Sequence, residues 1–434
     1  AQSFATTAPP EMTLPYTPAP PDTQQVRVVA MTTGVDLTRW TSYSFHSHLL
    51  RPTEGFSLAI GDGELDDEQR DALVPGAKIR LYLGDAPLAQ AFIDTIEISA
   101  SRGSGITYQI HGRSGLGAAV DAIADPTLQI KEGTSLLDFL KQVLAPYGWK
   151  KFDADNTANR DAKTGIRGTP LTRGGKKKGP KVKTDFALHQ LKPHAHESIY
   201  AFATRVSQRH GLWLWPSADG EMLIISRPDY YQEPLYTLRR SRNGDTNVLE
   251  GTVSFDACDQ PSVIFADGYS GGGEYGKGRV KAYCLNPYFG VDKDGFALEE
   301  VRKLVSKNPD AQQVLFVTQP FTRRAMEMPA RPLYLHDDES HTQEQLNNFV
   351  RREMSLLLRK SLTAHYTVEG HGQLDENGEE FVAWDIDTVV EVQDDVAGLN
   401  ERMYVLGRTF EKSRSGGTTT KLELVRLHSI QFGE

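Results

Sequence analysis

The stretch from Gln343 to Leu427 changes its hydrophobic period in a fixed order, and few folds accept that order. A basic amphipathic helix comes first, from Gln345 to Lys360, with Leu346, Phe349, Val350, Met354 and Leu356 to Leu358 interleaved with Arg351, Arg352, Arg359 and Lys360. It runs straight into an alternating strand, Leu362 to Gly370. A polar turn leads to Trp384-Asp385-Ile386-Asp387 and the apolar run Thr388 to Val392. Met403 to Gly407 is a further strand, followed by Phe410, the turn Ser415-Gly416-Gly417 and the Thr-rich strand Thr418 to Leu424. A helical period of 3.6 that gives way to a strand period of 2 reads as a helix that passes directly into strands.

The rest of the chain has the same β-rich, turn-punctuated character. Val26-Arg27-Val28-Val29, Tyr43 to Leu49, Phe56 to Ile60, Ala77 to Leu83, Leu88 to Ile98 and Ile106 to Arg113 read as short strands. Pro75-Gly76, Gly84-Asp85 and Gly103 to Gly105 separate them, a pattern of barrels and sandwiches. Residues 118–245 are mixed. Thr134 or Ser135 caps a helix that carries Leu136, Leu137, Phe139, Leu140, Val143 and Leu144. His196-Glu197-Ser198 opens a second helix that Gly211 ends, and Asp219-Gly220 is a hairpin turn. Strands resume at Val248, and residues 270–340 interrupt them with glycine-rich loops and a helix near Leu298 to Val305. No repeat of solenoid period is present. Two β regions that are copies of one fold fit the pattern, though a single sequence does not demonstrate it.

A chain of 434 residues is long enough for about three domains. Its 38 glycines and 23 prolines suit a loop-rich β protein. No run of eighteen apolar residues exists to span a membrane, and Ala1 to Ala5 lack the features of a secretory signal. A net charge of −9 does not suit a general duplex-DNA binder. Cys258 and Cys284 are expected as buried, inert thiols in a reducing compartment; their pairing is the lesser alternative. Residues 1–24, with Pro9, Pro10, Pro15, Pro18, Pro20 and Pro21, have no core of their own. Either this arm is a disordered tail, or Phe4, Met12, Leu14 and Tyr16 clasp a neighbouring subunit.

The ordered set of the last quarter resembles the baseplate hub protein of contractile phage tails, of the Mu-like tail protein P or late control protein D kind. Trp40, Pro75-Gly76, Phe92-Ile93-Asp94 and His111-Gly112-Arg113-Ser114 match the first barrel of that family, and the helix-Gly-strand-Asp-Gly-strand unit after Ser198 is similar to it as well. The resemblance covers most of residues 26–430 and leaves out the arm, the 153–185 loop and parts of 270–340. It implies an α+β, β-rich fold with two tail-tube-like antiparallel β-barrels and smaller mixed α/β domains between and inserted. The division expected is arm 1–24, first barrel 25–117, mixed domain 118–245 with basic loop 153–185, inserted domain 270–340, and second barrel from 246–269 plus 341–434.

By the same resemblance the chain is a homotrimer at the baseplate of a virion tail, made in the bacterial host cytoplasm. Three chains with two barrels each form a ring of six similar units, which joins a hexameric tail tube to a trimeric central spike. Other baseplate proteins and the tape measure protein are further partners. Membranes and specific nucleic-acid sequences are not. No catalytic, cofactor or metal residue is required. Two rival readings are a tail-associated cell-wall glycan hydrolase and the hub part of a type VI secretion-like spike. The latter is disfavoured by a chain that ends at Glu434 without a needle.

Candidate chemistry is thin. His194-x-His196-Glu197 and His336-Asp337-Asp338-Glu339-Ser340-His341 lack zincin or Cys-x-x-Cys spacing and read as polar helix starts. Asp62, Glu64, Asp66, Asp67 and Glu68 read as a solvated acidic loop. Gly271 to Gly278 lacks the Gly-Lys-Ser/Thr ending of a phosphate loop and reads as a flexible loop. The basic run Arg173 to Lys183 reads as solvated, and in a hub it would line the channel or touch a neighbour. Trp213, Trp215, Tyr230 and Tyr231 read as packing aromatics, and Trp384 as a barrel anchor.

Overall fold

The computed structural model describes residues 24–103, 105–154, 184–185, 187–217, 220–230, 232–244, 246–272, 276–291, 297–316, 329–374, 381–427 and 429–431. The arm before residue 24 and the basic run Arg173 to Lys183 lie outside them.

The alternating stretches form one large sheet in two lobes. The first lobe holds β1 (Val26–Ala30), β2 (Ser42–His48), β3 (Gly55–Gly61), β4 (Lys78–Leu83), β5 (Ala86–Ser101) and β6 (Gly105–Ser114). The second holds β7 (Tyr236–Arg240), β8 (Val248–Phe255), β9 (Leu362–Glu369), β10 (Thr388–Asp394), β11 (Leu399–Ser413) and β12 (Gly417–Arg426). Spatial order is β1-β4-β5-β6-β3-β2 in the first lobe and β7-β10-β11-β12-β9-β8 in the second. Each strand thus takes the place of the strand six numbers earlier.

The correspondence extends to single residues. The β5–β6 hairpin closes at Ser101 opposite Gly105, and β11–β12 closes at Ser413 opposite Gly417. Both glycines have left-handed backbone, φ 70° and 67°, where a side chain is strained. The ladder of the first hairpin shifts between Ile93 and Thr95, and that of the second between Val405 and Gly407. Counted back from the turn, the extra residues Asp94 and Leu406 occupy the same position. The lobes differ at the outer edge: β1 runs antiparallel to β4 and carries a further short strand, Asp36–Leu37, on its other side, whereas β7 runs parallel to β10.

The lobes join where the far half of β11, Gly407 to Lys412, pairs with β2. A single hydrophobic cluster passes through this seam, from Val26, Phe45 and Ile110 to Tyr366, Trp384, Phe410 and Leu424. The expected β-rich α+β class holds, with large antiparallel sheets. Closed barrels are not formed by the ladders of the described residues. One isolated bridge, Arg240 to Thr246, ties β7 to the chain entering β8.

Between the lobes, helices Leu136–Leu144 and Ile199–Arg209 pack around Phe139, Phe202 and Leu214. Ser135 and Ser198 cap them, each accepting a backbone N–H in the first turn. Trp213–Pro216 and Leu223–Ser226 make the expected hairpin, joined by Phe152–Asp153 in a three-stranded sheet. A four-stranded sheet contains Val263–Gly272, Gly276–Leu285, Gln312–Val314 and Pro332–Asp337. Helix Gln343–Ser361 lays Leu346, Val350, Met354 and Leu358 on this sheet, against Ile264, Ala266, Ala282 and Cys284. Its N-cap is Thr342, whose hydroxyl accepts from Gln345 N.

Two expectations change here. Gly271, Gly272 and Gly276 to Gly278 are not a loop but the end of a ten-pair antiparallel ladder, because the flanking alternation from Val263 to Leu285 carries the pairing through. Of the two cysteines, only Cys284 is buried, and its thiol is pushed up to about 12 by burial; Cys258 is exposed beside Asp256, and both are free thiols.

Candidate functional site

The two His-rich segments, far apart in sequence, meet. Glu339 receives Nη1 of Arg205 at 2.7 and 2.9 Å, Nε2 of His194 at 2.6 Å, and Nη2 of Arg209. Arg205 also grips Glu197 through Nε at 2.7 Å and Nη2 at 2.9 Å. Helix Ile199–Arg209 is thereby clamped to the turn that precedes helix Gln343–Ser361. Burial alone would raise the Glu197 carboxyl, but the Arg205 hydrogen bond and the His194 backbone N–H hold it below its usual range. Burial pushes the Arg209 guanidinium down despite Asp337 and Glu339 beside it. His336 sits between Asp267 at 3.0 Å and Asp338 at 2.7 Å, and these bonds raise its pKa by favouring the doubly protonated ring. His196 occupies the preceding turn with φ 61°. Arg205, Arg209 and His194 thus share Glu339, with Glu197 and Asp337 as further carboxylate partners of the two arginines, which is the chemistry of an inter-unit clamp. Among the described residues no group of three or more His, Cys, Asp or Glu side chains is arranged to hold a metal ion.

The acidic stretch is likewise spent on local structure. Asp66 accepts from Gln69 N while Gln69 returns a bond to Asp66 N, a capping box on helix Asp67–Ala72. Asp62 and Asp67 pair with Arg70, and Glu64 with Arg39. Such exposed pairs contribute little to stability. The aromatic candidates are packing groups, as expected: Trp213 and Trp215 are buried, and Tyr230 meets Tyr404 edge-on at 5.7 Å. Tyr231 lies outside the described residues.

The polar groups that sequence reading missed lie in the seam between the lobes. His371 is fully buried, with Nε2 2.7 Å from the Tyr43 hydroxyl and Nδ1 3.2 Å from the Thr420 hydroxyl. The Thr420 hydroxyl donates to Gly370 O at 2.6 Å, so it accepts from His371 Nδ1–H, and Nε2 accepts from Tyr43. His371 N–H donates to Gln24 at 2.7 Å. Nothing local in the sequence marks residues so far apart as partners.

Burial, with Arg408 and Lys412 nearby, depresses the His371 imidazole from 6.5 to about 3. The unfolded chain therefore binds this proton first, so the stabilisation is complete above pH 6.5 and declines as pH falls towards 3. By pH 5 the loss from this ring is on the order of 2 kcal/mol. Urea midpoints at pH 7.5 and 5.0 should fall further apart in the parent than in His371→Gln. Equal spacing in the two proteins contradicts the assignment.

Surface concavities are shallow. One of about 330 Å³ lies on the polar face of the seam, lined by His46, His365, Gly407, Lys421 and Glu423 among others. There, His48 sits 3.6 Å from Glu423 and holds its carboxyl low. Another, of about 460 Å³, lies beside Arg39, Glu64 and Gln69.

The fold is that of solved phage-tail proteins. The chain is similar to the tail protein from Neisseria meningitidis MC58, with a TM-score of 0.67 at 20% identity over 94% of this chain and 99% of that one. It is also similar to the 43 kDa tail protein of prophage MuSo2 from Shewanella oneidensis, with a TM-score of 0.62 at 19% identity over 94% and 99%. The resemblance drawn from the ordered sequence elements is therefore borne out in the fold. No protein-family model and no curated protein matches the sequence.

Proposed function

We propose that this chain is the structural hub of a contractile phage-tail baseplate, working as a homotrimeric symmetry adaptor. The observation that carries the reading is the duplicated lobe: six strands in the same order, with matching turns and matching bulges, in one continuous sheet. A threefold assembly of such chains presents six near-equivalent surfaces, which suits a hexameric tail tube on one side and a trimeric spike on the other. The likeness in fold to two tail proteins points the same way.

On this reading each lobe is one tube-like barrel. The expected division of the chain is kept with three changes: Tyr236–Arg240 counts with the second barrel, because it pairs with Thr388–Asp394, while Val263–Gly272 and helix Gln343–Ser361 count with the inserted domain, whose four-stranded sheet the first belongs to and the second covers. Helix Gln343–Ser361 serves the inserted domain as its cover and leads into the barrel at Leu362. The protein acts through interfaces rather than catalysis, in the tail baseplate of a virion. It is made in the host cytoplasm. Its partners are itself, the tail tube, the central spike, other baseplate proteins and the tape measure protein. Cryo-EM reconstruction of the tail tip should show three copies of this chain. One copy, or six, overturns the hub.

A further inference from the structure

The inserted domain has a core of its own. Helix Glu299–Ser306 packs on one face of its four-stranded sheet and helix Gln343–Ser361 on the other. Every member of the two apolar clusters so formed lies between Val263 and Leu358. The cluster of the mixed domain draws on Leu116 to Ile225, so among the described residues no apolar cluster passes from one unit to the other. The inserted domain hangs on two strand ends, Phe255 of β8 and Leu362 of β9, closed by the Asp256 N–H on Ser361 O at 2.9 Å.

Polar contacts hold its far end to the mixed domain. Beside the Glu339 clamp, Asn348 Nδ2 donates to Arg209 O at 3.1 Å and Arg352 Nη1 donates to Gln208 at 3.2 Å. The His189 ring meets the His341 ring edge-on at 5.1 Å. Asn348 is about 20 Å along its helix from Ser361. Ser355, only about 9 Å from Ser361, shares two 2.8 Å hydrogen bonds with Gln431 and ties the root of the helix to the second lobe. A joint that is polar at its far end and fixed near its root favours rotation about the root.

We propose that the inserted domain swings on this two-strand stalk, and that His341 is the proton-operated catch that releases it from the mixed domain. The device lies within one chain and does not depend on the trimeric-hub reading.

The charges that face His341 set the direction. His189 and Arg209 come from the mixed domain, and Asp337 and Glu339 from its own turn. Burial, then His189 and Arg209, push the imidazole below its ordinary 6.5 against the pull of the two carboxylates. Opening removes His189 and Arg209 and leaves Asp337 and Glu339 beside the ring. The open form therefore binds the proton more readily, so closure is complete above pH 6.5 and is lost as pH falls below it. His210 is held down to about 4 by burial, Arg209 and His189, all within the mixed domain, so it follows the swing weakly. Arg205 with Glu197, and Arg352 with Glu353, stay paired inside their own units. His194 opposes the release, because a proton there tightens its bond to Glu339. Its side chain is 58% exposed, however, and water screens that gain.

The test uses the full-length chain with Cys258→Ser, spin-labelled at Lys141→Cys in the mixed domain and Lys303→Cys in the inserted domain. Both lysines are exposed, and Cys284 is buried out of reach of the label. Double electron–electron resonance on samples frozen at pH 7.5 and 5.5 reads the distance between labels. One distance at pH 7.5 and a second, distinct population at pH 5.5 are expected. His341→Gln should keep the first distance at both pH values, which also shows that this variant is folded. Glu339→Gln removes the carboxylate that Arg205, Arg209 and His194 share, and it should show the second population at pH 7.5. A single distance in all three proteins at both pH values overturns the swing. A second population at pH 5.5 that His341→Gln retains overturns the catch.

Discussion

Replacing Trp384 with alanine should lower the unfolding free energy by about 3–5 kcal/mol, the range for truncating a buried large aromatic. The indole is fully buried in the cluster that both lobes share. Its ring lies 4.4 Å from that of Tyr236, whose hydroxyl donates to Ala383 O at 2.5 Å. Trp384 belongs to no strand. It sits between Phe381–Ala383 and Thr388–Asp394, and its backbone N–H donates to His371 O at 2.9 Å. Truncation would empty the space between β7, β10 and β11 and loosen the residue that carries the His371 seam. The urea midpoint should drop with the slope unchanged. A midpoint equal to the parent's contradicts the anchoring role.

Local pattern made most of the strands and helices legible. Ser42–His48 and Leu362–Glu369 bury every second residue, as their alternation requires. Helix Gln343–Ser361 begins at a capping threonine and ends where the period changes. What stayed hidden depends on distant pairing. Tyr236–Arg240 reads as the end of a mixed region, but it joins the large sheet through a parallel partner, and parallel pairing leaves no turn signal nearby. The Gly271 to Gly278 stretch carries loop composition, yet its neighbours extend a hairpin into it. The duplication survives in sequence as little more than the turns Ser101-Arg102 to Gly105 and Ser413-Arg414 to Gly417. Bulge position and strand order are properties of the ladder, so they persist after side-chain identity is lost. The clamp at Glu339 was half visible: both His-rich segments stood out, but their meeting is a matter of tertiary placement.

The buried ion pair of the seam should show the largest contrast between single and double substitutions. Arg408 lies on β11 with its side chain fully enclosed. Nη1 donates to Trp384 O at 2.6 Å and lies 3.5 Å from Asp385 Oδ1. The guanidinium also rests on the Phe410 ring at 4.3 Å and faces Phe45 of the first lobe at 5.9 Å. Burial pushes the Arg408 pKa down and Asp385 pushes it back up, so Asp385 supplies the charge that keeps a buried cation tolerable. Asp385→Ala removes that charge and should cost about 3–5 kcal/mol, the usual cost of stranding one member of a buried pair. Arg408→Met combined with Asp385→Asn removes both charges while keeping an acceptor for the Ile386 N–H, which Asp385 now receives at 2.8 Å. Because desolvation of two ions offsets most of their attraction, the double variant should recover most of the loss. The Arg408 counterpart in the first lobe is Ile96, an apolar residue at the same place in the ladder, so the position accepts a side chain without charge. Urea unfolding of the parent, the single variant and the double variant measures both quantities. A double variant no more stable than Asp385→Ala would show that the pair contributes net attraction, and that Asp385 does more than cancel a stranded charge.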